Sequence, residues 1–311
     1  MSESCYSLYG LLIQSPIQLH APVVQGEPDL VVVEAASQIV PAEPAPGELL
    51  CRLEYGPGWG AAHVKTPTGY TLRYYGTAQF ELDPQLRNAT VIADSSINPS
   101  MVPELLLASV PAFRLLMTGT MVLHASVVAA HDKAIAFLAH SGGGKSTLAA
   151  AMCGSGFAAI TDDLLVIDWC ADVPKVRFGS GELRLRPDSA ALRASITFGS
   201  ERVTSDGRTA VSSALAHTDA APELRVIIVP VIEAAGVRAE LRRLAGSESL
   251  SAVLEHLRVS GWQDASALRR VFPEQVRLAR TVPVYELRLA RGPEGLHQAV
   301  ELLKHLELRR E

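Results

Sequence analysis

The run Ala139-His-Ser-Gly-Gly-Gly-Lys-Ser146 constrains this 311-residue chain more than any other stretch. Consecutive glycines let backbone N–H groups turn inward and form a concavity for an anion. Apolar Ala134–Leu138 before the run predicts a buried strand, and Ser146–Met152 after it predicts a helix. That helix would aim the positive end of its dipole at the same point. The run approaches GxxxxGK[ST], with Ala139 where the first glycine would stand. On that pattern Ser141, Gly142, Gly143, Gly144 and Thr147 would surround a polyphosphate tail. Lys145 would reach the outer phosphates, and Ser146 would offer its hydroxyl to Mg2+. The competing reading is a glycine-rich turn that binds nothing.

Downstream lies Ala158-Ala-Ile-Thr-Asp-Asp163, two carboxylates at the end of a short apolar run. In open α/β sheets a ligand sits outside the carboxyl ends of the strands. The strand holding Ile160 is expected close to the one entering the glycine run, with Asp162 and Asp163 turned to the same place. One acid would help to hold Mg2+, and the other would accept a proton from an attacking hydroxyl. The bland reading is a turn, since Asp is common at strand ends.

The rest of the chain supplies context. Residues 1 to about 98 read as a β-rich domain, its apolar runs (Leu8–Ile13, Leu30–Val33, Leu49–Leu53, Tyr70–Tyr75) cut by Pro/Gly clusters in the manner of a small antiparallel unit. His20 and His63 stand alone there and read as structural or solvated. Residues 99–311 alternate helix and strand: a helix over 103–118, strands over 121–129 and 164–168, then 224–232, 237–241 and 284–289. Helices are expected over 247–257, 266–280 and 295–306. The polar segment 199–217 reads as a mobile loop.

Composition excludes several classes. With 33 acidic against 28 basic side chains and 5% aromatics, neither bulk positive charge nor base-stacking platforms point to nucleic acid. Leu105–Ala130 is apolar, but Pro111, Arg114 and His124 interrupt it, so a buried helix and strand are expected there instead of a membrane span. Cys5, Cys51, Cys153 and Cys170 form no CxxC pair, and the first residues carry no basic-then-apolar signal. Both point to a cytoplasmic protein.

The residues His124, Ser141-Gly-Gly-Gly-Lys-Ser146 and Thr161-Asp-Asp163 resemble the HPr serine kinase/phosphorylase family. They are most similar to its shorter relatives among peptide-tailoring enzymes, including lasso-peptide kinases. The resemblance covers about residues 120–170. It implies an α/β P-loop kinase core of HPr-kinase type with an N-terminal β-rich domain. It also implies ATP and Mg2+, a peptide or small-protein substrate, and allows a homo-oligomer. By the same resemblance Asp163 corresponds to the proton acceptor, Lys145 and Ser146 to the phosphate and Mg2+ contacts, and His124 to an active-site histidine. Glu182 corresponds to a Mg2+-binding glutamate, and Arg184 and Arg186 would neutralise transferring phosphate. Two departures set the chain apart: Thr147 replaces a glutamate, and Glu182-Leu-Arg-Leu185 replaces Glu-x-Arg-Gly. They argue against phosphate removal, against HPr as substrate and against the family's hexamer. The expectation is therefore an ATP-dependent kinase acting on a serine hydroxyl. The alternatives are a small-molecule P-loop kinase and an ATP-binding regulator without transfer.

Overall fold

The computed structural model describes residues 3–56, 58–96, 101–189, 192–193, 198–213, 220–234, 236–258 and 261–308. It is a mixed α/β protein. Its contacts separate it into two compact units, Met1–Thr120 with Val259–Val271, and Met121–Arg258 with Phe272–Glu311.

The first unit carries an eight-stranded sheet in the order β1-β2-β3-β8-β7-β6-β5-β4. Its strands are β1 (Ser4–Leu8), β2 (Leu11–Ser15), β3 (Leu30–Glu34), β4 (Glu48–Gly56), β5 (Trp59–Thr66), β6 (Gly69–Tyr74), β7 (Ala78–Leu82) and β8 (Asn88–Ala93). The expected strand over Leu8–Ile13 is instead a hairpin corner. Tyr9 and Gly10 turn there with φ of 55° and 75°, the positive pair a tight two-residue hairpin requires. The sheet is also not wholly antiparallel, because β3 runs parallel to both β2 and β8.

Helices α1 (Met101–Leu107) and α2 (Ser109–Met117) replace the single helix expected over 103–118. The break falls at Ala108, whose backbone leaves the helical region. It places Pro111 in a first turn, where a missing N–H costs nothing. Both helices belong to the β-rich unit, not to the glycine-run half as the sequence suggested. Phe113 shows why. Its ring meets His63 and Tyr70 at 5.4 Å and Trp262 at 5.9 Å, edge-on or tilted as aromatic quadrupoles favour. Trp262 arrives from far along the chain and bridges Cys51. His63 is thus a buried structural residue, while His20 is exposed. Among the described residues, no helix is long and apolar enough to cross a membrane.

The second unit is built on β9 (Ala125–Ala130), β10 (Lys133–Leu138), β11 (Ala158–Thr161), β12 (Ile167–Cys170), β13 (Val173–Val176), β17 (Glu223–Glu233), β18 (Glu240–Leu244) and β19 (Val284–Ala290). Strand β9 lies between β11 and β10 and is antiparallel to both. Strand β10 then pairs in parallel with β17, and β17 with β19. The ladder from β10 ends at Ile228, two residues before Pro230, so the proline removes no bond to β10. Helix α3 (Lys145–Cys153) and the C-terminal helix (Pro293–Leu308) cover the sheet. Leu148, Met152, Ala299 and Leu303 pack there on Val128, Phe137 and Ile228. The helices expected over 247–257 and 266–280 are α4 (Ser247–Glu255) and α5 (Ala265–Thr281), and the C-terminal helix is α6.

A small sheet, β14 (Glu182–Leu185), β16 (Thr209–Ser213) and β15 (Phe198–Val203) in that order, corrects the loop expected over 199–217. Residues 198–213 form a hairpin, with Gly207 at φ 76° in its turn and Thr204 N–H bonded to Arg208 O at 2.9 Å. Residues 214–217 of that expectation lie outside the described residues.

Candidate active site

Because β10 and β11 are both antiparallel to β9, they run the same way and end at the same edge of the sheet. The expected closeness of the two is relaxed to two strand spacings, about 9.5 Å, with β9 between them. The start of β9 lies at that edge too, since Ala125 pairs with Leu138. His124, the glycine run and the acid pair therefore converge from three segments.

The glycine run leaves β10 and enters α3 with no side chain capping the helix. Gly142 and Gly144 have φ of 86° and 87°, a left-handed conformation that glycine alone adopts without penalty. Gly143 has a different reason to be glycine: a Cβ there would fall 2.6 Å from the Cβ of Ala139. The alanine in place of the pattern's first glycine is thus accommodated by the middle glycine of the three. With no capping side chain, the orphan N–H groups of the first turn of α3 remain for an anion.

Lys145 is buried at 6% exposure and folds back on the run, donating to Ala139 O at 2.7 Å and His140 O at 3.3 Å. Burial lowers its pKa to about 8; Asp162 opposes that shift, and Arg258, Arg208 and Arg186 add to it. Arg186 also donates to the Ser141 hydroxyl at 3.3 Å. Thr147 lies in the first turn of α3 and is partly buried.

Asp162 is 5% exposed and saturated with donors. Ser146 Oγ lies 3.1 and 3.0 Å from its two oxygens, Arg184 N–H donates at 2.8 Å, and the buried Ser126 hydroxyl donates to Oδ1. A hydroxyl and a carboxylate set side by side at the mouth of the glycine run are hard oxygen donors, the kind Mg2+ takes alongside water and phosphate oxygens. Ser146 and Asp162 therefore fit that ion. Glu182 has its carboxylate engaged elsewhere: Arg202 takes both its oxygens, at 3.2 and 2.7 Å. Among the described residues no three His, Cys, Asp or Glu side chains converge as a metal cluster.

Asp163 is positioned differently. Its φ of 75° is left-handed, which costs an L-residue about 1–3 kcal/mol. The turn is fixed by Thr161, whose hydroxyl donates to Leu164 O at 2.9 Å. That conformation aims the Asp163 carboxylate between two side chains: an ion pair with Arg184 and His124 Nε2 at 3.7 Å. His124 is pushed down to about pKa 3, by burial first and then by the charges of Lys145 and Arg258, so its imidazole is neutral. At 3.7 Å it packs beside Asp163 without a hydrogen bond.

Three contributors escaped the sequence reading. Ser126 supports Asp162 from β9. His256 stacks on His140 of the glycine run at 5.0 Å, with its own Nδ1 2.6 Å from Ala252 O. Arg258 adds positive charge near His124 and Lys145. His256 and Arg258 come from far along the chain and Ser126 from the strand before β10, and none has a local pattern of its own.

The sequence matches no protein-family model and no curated protein. Among solved structures, the chain is similar to the HPr(Ser) kinase/phosphatase from Coxiella burnetii. The likeness runs at 11% identity with a TM-score of 0.33, over 60% of this chain and 90% of that one. A likeness at that level carries no argument, and the reading of the site rests on its own geometry.

Proposed function

We propose that this chain is an ATP-dependent kinase that transfers phosphate to a serine hydroxyl on a peptide or small protein. The observation that carries the reading is Ser146 set against both oxygens of Asp162 where the uncapped α3 begins. That is the corner where a triphosphate and its metal ion would need hydroxyl, carboxylate and backbone N–H together. The choice of a ribosomal-peptide precursor of the lasso type as acceptor rests on the sequence resemblance.

In this reading the loop amides and α3 bind the phosphate tail, and Ser146 and Asp162 hold Mg2+, which when bound neutralises phosphate charge. Lys145 exchanges its two carbonyl partners for phosphate oxygens. Arg184, now paired with Asp163, is drawn to the incoming negative charge, which frees Asp163 to accept the hydroxyl proton of the acceptor. Neutral His124 fills the space beside that carboxylate without competing for the proton. Catalysis then comes from positioning and preorganised charge, because phosphoryl transfer asks little covalent chemistry of the protein.

A second reading, a nucleotide-binding regulator, is favoured by one observation: Asp163 is held in an ion pair, which weakens it as a base. Incubation with γ-labelled ATP, Mg2+ and serine-containing peptides separates the two. Labelled phosphoserine supports the kinase; turnover to ADP and free phosphate alone supports the regulator; label in a metabolite pool instead would make the acceptor a small molecule.

A further inference from the structure

The site contains an arginine that its own protein surroundings do not satisfy. Residues 122–124 are clamped from both sides. On one, Leu123 exchanges backbone hydrogen bonds with Leu165 at 3.0 and 2.8 Å. On the other, the stretch following α4 adds as an antiparallel bridge, with His124 N–H bonded to His256 O at 2.7 Å and Arg258 N–H to Val122 O at 2.9 Å. The bridge pairs Leu123 with Leu257, so alternation puts the side chains of Val122, His124, His256 and Arg258 on the opposite face. That face is the one turned to the glycine run, because His256 stacks on His140 there.

The Nε of Arg258 is buried and has no hydrogen-bond partner among the described residues. A buried guanidinium N–H left unpaired is costly, and buried positive charges are ordinarily matched by an anion. No carboxylate pairs with Arg258 among the described ion pairs, which give Arg184 to Asp163 and Arg202 to Glu182. Its neighbours are the cation Lys145 and the neutral His124, whose protonated forms its charge disfavours. Lys145, Arg258, Arg208 and Arg186 act on this corner against the single carboxylate of Asp162, so positive charge is in excess around a loop of N–H groups, a seat suited to an anion.

We infer that Arg258 is a phosphate-contacting residue of this site, its guanidinium completing the anion seat beside Lys145. The inference rests on the kinase reading only in taking the ligand to be a polyphosphate tail. It adds a cation delivered from after α4, well outside the motif, and the α4 segment thereby becomes part of the phosphate site.

The test is calorimetric titration of the full chain with Mg2+ and inorganic tripolyphosphate, which removes any contribution from base or ribose. Wild type, Arg258→Gln and Arg258→Lys are compared, together with their ligand-free melting temperatures. The expected result is a loss of about tenfold to a hundredfold in affinity for Arg258→Gln, the weight of one charge-assisted hydrogen bond, with partial recovery in Arg258→Lys. The ligand-free melting temperature of Arg258→Gln should stay level or rise, since an uncompensated cation has been removed. Wild-type affinity in Arg258→Gln overturns the inference. So does a drop in ligand-free melting temperature large enough to account for the weaker binding, which would make Arg258 a purely structural residue. Wild type that binds no tripolyphosphate overturns instead the reading of the glycine run.

Discussion

Each unit buries a carboxylate, and the two do opposite things. In the first unit Asp94 is 5% exposed and accepts from Val40 N–H at 2.6 Å, Ser96 N–H at 2.8 Å and the Ser96 hydroxyl. The bond from Ser96, then that from Val40, holds its carboxyl below the usual carboxylate range. It ties two loops together and meets no cation among the described ion pairs. Asp162 in the second unit is just as buried and just as well supplied with donors. Its donors, however, include the hydroxyl that opens α3, and Lys145 and Arg184 stand around it. Burial and saturation alone therefore do not mark a site. Convergence of excess positive charge, including Arg258 with its unpartnered Nε, open helix N–H groups and a hydroxyl does.

That contrast can be broken. The first unit rests on rings, so Phe113→Ala should destabilise it by about 3–5 kcal/mol, read from urea unfolding, while Mg–ATP affinity of the folded protein stays at the wild-type value. A large loss of nucleotide affinity would mean that the β-rich unit does more than fold. The second unit rests at its active corner on hydrogen bonds to charge. Ser126→Ala should cost about 1.5–3 kcal/mol in the same assay, because the buried Asp162 loses a donor. An unchanged midpoint would show that Asp162 does not depend on β9.

The pH response sharpens the comparison further. The imidazole of His124 stays neutral in the folded protein down to about pH 3, against an ordinary 6.5. Lys145, Arg258 and His140 face it and oppose its protonation, and Asp162 favours it. The unfolded chain therefore takes up a proton below pH 6.5 that the native state refuses, and stability falls as pH falls through that window. Between pH 6.5 and 5 this group alone should remove at most about 2 kcal/mol. His124→Gln should flatten that part of the stability profile, and an identical slope in the variant would show that His124 already titrates normally.

Local chemistry was readable in the sequence and remote assembly was not. The strand, glycine run, helix and acid pair lie within one stretch, each signalled by its own residues, and the structure has β10 before the run, α3 after it and the acid pair just past β11. The position of β9 between β10 and β11 is a matter of strand order, which no local residue reports. Ser126, His256 and Arg258 join the site only through that order and through the bridge at Leu123. The hairpin of β15 and β16 was legible but overlooked. Asp206-Gly207 between the Val203–Thr204 and Thr209–Val211 runs is a turn between β-formers, and its serines and threonines disguised it as a loop. The pairing of Glu182 with Arg202 on β15 was not legible either, because a strand's partner is likewise set by register across the sheet.

The most direct measurement compares wild type with Asp163→Asn in single-turnover transfer from γ-labelled ATP to a serine peptide, with ATP affinity measured alongside. Asn tolerates the left-handed backbone at 163 nearly as well as Asp, so the turn should survive the change. A fall in transfer of about 10²- to 10⁴-fold, with ATP affinity within a few-fold of wild type, is the predicted result. Transfer at the wild-type rate would contradict the assignment of Asp163 as the proton acceptor and with it the account of this corner as a kinase site.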